Sequence, residues 1–269
     1  MLDFSGVKGL LIDIDGTLMR GNKLLNGVKE FLESLEGKDI PFLIVSNNSK
    51  SPKRYMDIFS EFNIILKESQ ILTTTITTKK YLESHSEIKS VYLIGKLDLE
   101  EVIIKLGIKI LKDFSGEIAD AVIVGGDFNL NYEKLKYAVL HLQGGAILIG
   151  SNGDMLIPTE EGLVPEAGMT LAALAAGSGI KPIILGKPEK YFFDIAMELI
   201  GIEIGKENKD IIMLGDRLET DVLGAVNYGI KSVLIKTGVD NENMVETKGI
   251  HPDLIVEDLV ELKNIIEEE

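Results

Sequence analysis

Short apolar runs, each long enough for one buried strand, alternate along this chain with stretches of helical periodicity, and that alternation restricts the fold more than any other feature. The runs are Gly9–Ile14, Pro41–Ser46, Val91–Gly95, Ala121–Gly125, Ala146–Gly150, Pro182–Gly186, Ile211–Gly215 and Ser232–Ile235. Strands separated by helices pair in parallel and are covered on both faces. The expected class is therefore α/β, built on a doubly wound parallel sheet. The first intervening helix gathers Val28, Phe31, Leu32 and Leu35 on one face, with Asn26 as its expected cap and Gly37 as its expected end. The next opens at Ser51-Pro52 and turns Tyr55, Ile58, Phe59 and Phe62 inward.

The long span between Ser49 and Gly186 carries strand and helix signals of its own, more than a single sheet needs as a connection. It reads as an inserted domain at 84–181, leaving 1–83 and 182–269 to form the core. No low-complexity segment or internal repeat interrupts this plan.

Charge and composition exclude several functions. With 28 basic and 43 acidic residues the formal net charge is -15, which repels a nucleic-acid backbone and an anionic membrane surface alike. The soft apolar stretch Met169–Ile180 is too short to span a bilayer, and "MLDFSGVKGLL" has no basic region before an apolar one, so it does not read as a secretory signal. The chain has no Cys, hence no disulfides and no thiolate chemistry, which fits a soluble cytoplasmic protein. Its three His, at 85, 141 and 251, are scattered without metal-ligand spacing, and ordinary surface or partly buried roles are expected for them. Any bound metal is then held by oxygen or by one of these three His.

Polar residues cluster where strands end: Asp13 and Asp15, "SNNS" at 46–49, "GKP" at 186–188 and "GDRLETD" at 215–221. In open parallel sheets ligands gather at the carboxyl ends of the strands. Singly, each segment passes for a cap, a turn or a solvated lysine. Together they supply adjacent carboxylates, a hydroxyl beside amides, one ammonium and a second carboxylate pair, which is what phosphoryl transfer requires. A nucleophilic carboxylate beside a phosphate needs a divalent cation, and Mg²⁺ prefers oxygen ligands, a role open to Asp13 and Asp216. Ser46, the Asn47 region and Lys187 can meet the charge of the transferring group. Asp15 is placed to give a proton to the leaving oxygen and later to take one from water. In the insert, Asp127 in "GGDF" and Asn152 and Asp154 in "SNGD" follow expected strands, as turn residues or as residues facing substrate.

The motifs "DIDGTL", "SNNS", "GKP" and "GDRLETD", in this order, resemble those of the haloacid dehalogenase (HAD) superfamily hydrolases. The large insert, with "RLETD" and "GSNGD…P…EEGLVPEAG", is similar to the NagD-like, p-nitrophenyl phosphatase subgroup with a C2-type cap. The resemblance covers almost the whole chain. It implies a Rossmann-like core with an inserted α/β cap and a Mg²⁺-dependent phosphatase acting on small phosphorylated metabolites through an aspartyl-phosphate. Asp13 would be the nucleophile and Asp15 the acid/base. Mg²⁺ would be held by Asp13, the Asp15 carbonyl and Asp216, with Asp221 in support, and the phosphoryl group by Ser46, Asn47, Asn48 and Lys187. Two departures stand out: Ser46 where threonine is commoner, with the hydroxyl kept, and Gly153 where proline is commoner.

The closest rival is a non-hydrolytic, receiver-like phosphate-binding signalling module, which needs neither the second acid at Asp15 nor a large insert. A dinucleotide-binding oxidoreductase is disfavoured, because no GxGxxG follows an early strand. The expected partner is a small phosphorylated metabolite rather than nucleic acid or membrane, with a homodimer left open.

Overall fold

The structure is a computed structural model that describes all residues except 1–3, 5, 96, 160, 204–207 and 269. Residues 1–3 and 5 of the N-terminal segment read above therefore lie outside the described residues. The chain divides into two compact units, one of Met1–Ser46, Pro52–Leu72 and Lys187–Glu269, the other of Asn47–Ser51 and Thr73–Gly186.

The first unit is built on a six-stranded sheet with the order Leu254–Val256, Lys231–Ile235, Ile211–Gly215, Gly9–Asp13, Phe42–Ser46, Ile71–Thr73. Gly9–Asp13 runs parallel to both of its neighbours, pairing Leu10 with Ile212 on one side and with Phe42 on the other. Its residues are buried throughout, as expected of a central parallel strand covered on both faces. Helix Val28–Gly37 seals part of the sheet with Val28, Phe31, Leu32 and Leu35, the face read from the sequence. Its start differs from that reading: Gly27, not Asn26, occupies the cap position, with φ 79°, and no side chain caps the helix. The conformation explains the choice, since a left-handed φ favours glycine. The helix includes Gly37 and hands over at Lys38, and Asp39 takes the left-handed turn. Helix Pro52–Ser60 begins on its proline and buries Tyr55 and Phe59, with Ile58 and Phe62 half-buried beside them.

The second unit carries a five-stranded parallel sheet ordered Ile183–Ile184, Ile147–Gly150, Ala121–Val124, Ser90–Ile94, Lys109–Leu111. Its core joins Tyr92, Val122, Val124 and Leu148 to Ala138 and Leu142 from helix Tyr132–Gln143 and to Leu171 and Leu174 from helix Ala167–Ser178. That last helix accounts for the soft apolar stretch, and among the described residues no helix is long and apolar enough to cross a membrane.

Candidate active site

Asp13 is the last residue of the central strand, where the sheet's backbone bonding runs out and a side chain is left facing the carboxyl edge. The adjoining strand ends at Gly215, which places Asp216 at the same edge, and the strand on the other side ends at Ser46. Lys187 completes the group. It is 2% exposed, and its Nζ donates to Asp13 Oδ1 at 2.5 Å and to Asp221 Oδ1 at 2.6 Å. Asp13, Asp216 and Asp221 are all buried, and each offers a carboxylate oxygen within 4.8 Å of the others.

Three carboxylates against one ammonium leave this edge with an excess of buried negative charge. Burial raises Asp13 well above the ordinary carboxylate range; Lys187 opposes the rise, and Asp221 and Asp216 add to it. Asp216 is pushed up to about 7 by burial and by Asp221, against the pull of the Val239 N–H. Burial alone would lower Lys187, but Asp13 and Asp221 hold it above the usual lysine range. One oxygen, Asp216 Oδ1, is buried with no hydrogen-bond partner among the described residues. An orphaned carboxylate oxygen facing two other carboxylates fits an oxygen-liganded divalent cation, because a positive ion relieves both the missing bond and the like-charge repulsion.

The remaining sequence-selected residues fall into two groups. Asp15 is half-buried and sits in the turn that follows Asp13, where it makes a bridge with Met19. Ser46 is buried, with its hydroxyl 3.4 Å from the Tyr55 hydroxyl. Asn47 and Asn48 belong to the second unit and are fixed there. Asn47 Nδ2 donates to Asp154 Oδ2 at 3.2 Å, and its carbonyl accepts from Asn152 Nδ2 at 2.9 Å. The Asn48 side chain accepts from the Lys50 N–H. Asp127 has its carboxylate engaged by the Asn129 N–H at 2.8 Å and by Lys134 Nζ at 2.5 Å. Of the insert residues singled out, Asn152 and Asp154 are thus brought to Asn47, and Asp127 is held in a turn. His141 is a fully buried core residue rather than a surface or partly buried one, and none of the three His joins the acidic cluster.

Residues outside the sequence reading also shape the site. A Cβ on Gly16 or on Gly238 would overlap the Asp216 carboxylate, and one on Gly215 would overlap Asp221. Gly16 also has φ 96°. The "DG" and "GD" pairs hinted at the first and the last, whereas Gly238 lies far along the chain in an unmarked loop.

Comparison with known proteins agrees with this geometry. A haloacid dehalogenase-like hydrolase family model matches residues 10–109, and a HAD-hydrolase-like model matches residues 184–262.

The chain belongs to the haloacid dehalogenase-like hydrolases.

It is 34% identical over 255 residues to the 5'-nucleotidase YutF of Bacillus subtilis, covering 94% of this chain and 96% of that protein. It is 33% identical over 255 residues to an acid sugar phosphatase of Staphylococcus aureus, with the same coverage. The crystal structure of a 4-nitrophenylphosphatase from Thermotoga maritima superposes with a TM-score of 0.87 at 31% identity, covering 97% of this chain and 98% of that one. With NagD also among its structural neighbours, this HAD chain is a hydrolase of the phosphomonoesterase type.

Proposed function

We propose that the protein hydrolyses small-molecule phosphomonoesters through an aspartyl-phosphate on Asp13, with Mg²⁺ as its metal. The observation that carries this reading is the buried set of Asp13, Lys187, Asp216 and Asp221, with its excess negative charge and the orphaned Asp216 Oδ1. Asp13, Asp216 and the Asp15 carbonyl would hold Mg²⁺, with Asp221 in support. When bound, the ion supplies charge neutralisation that lets an anionic carboxylate approach an anionic phosphate.

An Asp13 oxygen attacks phosphorus, the bond to the leaving oxygen breaks, and Asp15 gives that oxygen its proton, releasing an alcohol. Water then attacks the phosphorus of the acyl phosphate, Asp15 takes the water's proton, and orthophosphate leaves with Asp13 restored. Lys187 neutralises charge on the transferring group, and the Ser46 hydroxyl and the amides of Asn47 and Asn48 are its remaining proposed donors. Residues 84–181 are proposed as the cap domain and the source of substrate preference, with Asn152 and Asp154 its foremost residues and Asp127 a lesser one. The names of the relatives, a 5'-nucleotidase and an acid sugar phosphatase, place nucleoside monophosphates and sugar phosphates first among substrates to try. A cytoplasmic setting suits a chain without Cys.

The test is phosphate release across a panel of nucleotides, sugar phosphates and p-nitrophenyl phosphate, with Mg²⁺ or with EDTA. Turnover with Mg²⁺, lost in EDTA, is expected. For Asp13→Asn a loss of at least ~10⁴-fold in kcat is expected, as for other deleted nucleophiles. A freshly purified Asp13→Asn variant that kept its turnover would remove the covalent step, and a panel without any turnover would remove the phosphatase reading.

A further inference from the structure

The loop Thr237–Asp240 lies beyond every motif named above, yet much of the acidic site is suspended from it. Thr237 Oγ1 donates to the Gly16 carbonyl at 2.6 Å, just past Asp15, while its own carbonyl accepts from Arg20. The Val239 N–H donates to Asp216 Oδ2 at 2.7 Å, and the Asp240 N–H donates to the Asp216 carbonyl at 3.1 Å.

Asp240 itself is a buried carboxylate, 2% exposed, with no place in the catalytic scheme. Its Oδ2 accepts from the Leu218 N–H at 2.7 Å. Leu218 begins the π-helical turn Leu218–Val222 that carries Asp221, and the first N–H groups of a helical segment have no partner within it. Asp240 supplies that partner. Its Oδ1 accepts from Lys248 Nζ at 2.8 Å, and Lys248 also reaches Glu219 Oε2 at 2.7 Å, on the same turn. The turn is therefore tied at Leu218 and Glu219 to one anchor, and Asp221 is bonded onward to Lys187.

We propose that Asp240, neutralised by Lys248, is a positioning residue for the cation site. It fixes the turn carrying Asp221 against the strand end carrying Asp216, so that the carboxylates converge before an ion arrives. Groups that orient metal ligands from behind typically affect metal affinity 10- to 100-fold when removed. The inference rests on the reading of the acidic cluster as a divalent-cation site, and the experiment separates the two.

Mg²⁺ binding is measured by calorimetry on the purified protein without substrate, for wild type, Asp216→Asn, Asp240→Ala, Asp240→Asn and Lys248→Met, together with kcat and KM at saturating Mg²⁺. Asp240→Ala is expected to weaken Mg²⁺ binding about 10- to 100-fold. Asp240→Asn, whose amide oxygen still accepts from Leu218, and Lys248→Met, which removes only the ion pair, should each lose a few-fold, with KM for p-nitrophenyl phosphate unchanged. If Asp240→Ala does not fold, the latter two variants decide. Wild-type affinity in every folded Asp240 and Lys248 variant, beside lost binding in Asp216→Asn, overturns the positioning role alone. No Mg²⁺ binding by the wild type overturns the cation site and this inference with it.

Discussion

At the carboxyl edge of its sheet the first unit buries three carboxylates against a single ammonium. The second unit, built on the same parallel plan, gathers Asn47, Asn152 and Asp154 through side-chain amides, and buries a neutral imidazole in its core. In the first, burial, with like charges held close adding to it, raises Asp13 and Asp216 far above the ordinary carboxylate range. In the second, His141 is satisfied by the Asp113 carbonyl and the Ala119 N–H, and its proton affinity is lowered instead. The first arrangement carries like-charge repulsion that a bound cation would relieve. The second is ordinary satisfied burial, so the electrostatic misfit, rather than polarity at a strand end, marks where the chemistry is.

The largest effect should follow from removing the Lys187 ammonium. Lys187→Met leaves Asp13 and Asp221 buried without their ion pair, and breaking such a pair typically costs about 3–5 kcal/mol. Urea denaturation in EDTA should show a loss of that order, and phosphate release should fall by about 10²- to 10³-fold through the missing charge on the transferring group. The matched change in the second unit is Asn152→Ala, which deletes the bonds to the Asn47 carbonyl and from the Asp154 N–H and should cost only about 1–3 kcal/mol. Equal losses from both would break the comparison between the units.

Much of this contrast was legible in the sequence, and the exceptions have physical causes. The central strands were readable because parallel strands covered on both faces are apolar throughout. Ile71–Thr73, Lys109–Leu111 and Leu254–Val256 were not, because each is a three-residue strand at the end of its sheet and too short to show a pattern. Thr74–Ser84 is a helix despite the run "TTITT", whose β-branched residues favour strands. Tertiary contacts prevail there: these threonines are buried, and the hydroxyls of Thr77 and Thr78 return to the Thr74 carbonyl. In the division into compact units the second unit takes Thr73–Gly186 and Asn47–Ser51, against an insert expected at 84–181. At the site, the carboxylates and Lys187 stood out by type and spacing. Gly238 and Val239 did not, since close approach and a backbone N–H leave no residue-type signal, and Asp240 did not, since its carboxylate meets Leu218 and Lys248 outside any motif spacing.

A smaller effect, and one that sharpens the comparison, lies in the pH dependence of stability without metal. Asp216 is held at about 7 in the folded protein against 3.8 for an unperturbed group. Between those values the folded state holds a proton that the unfolded state has released, so stability falls as pH rises. In EDTA the melting temperature should drop between about pH 5 and about pH 8. Adding Mg²⁺ should restore it most at the upper end, because an ion that binds only the folded form stabilises it. Asp216→Asn should make the decline shallower, with Asp13 supplying what remains, and abolish the response to Mg²⁺. A decline of wild-type steepness in Asp216→Asn would mean that the misfit resides elsewhere.

The second unit should show the opposite slope, more weakly. His141 has its Nδ1 accepting from the Ala119 N–H at 3.1 Å and its Nε2 3.1 Å from the Asp113 carbonyl, with the Tyr92 and Phe114 ring centroids 5.1 and 5.2 Å from its own. That pattern demands a neutral ring, since an imidazolium would turn Nδ1–H against the Ala119 N–H. Burial lowers the proton affinity, and the Asp113 carbonyl and carboxylate only partly offset it. The folded value therefore lies below the unperturbed 6.5, and between the two the unfolded chain binds the extra proton. Stability from this residue is complete above 6.5 and is lost as pH falls through the folded value. With Mg²⁺ present to silence the acidic cluster, the melting temperature should hold steady above about pH 7 and sag below about pH 6. His141→Gln should start lower, through imperfectly replaced hydrogen bonds, but lose less on acidification than the wild type. The decisive quantity is the difference in slope between the two proteins, not the absolute melting point. Parallel profiles would show that the imidazole titrates as freely folded as unfolded, and the contrast between a charged and a neutral buried edge would then rest on the first unit alone.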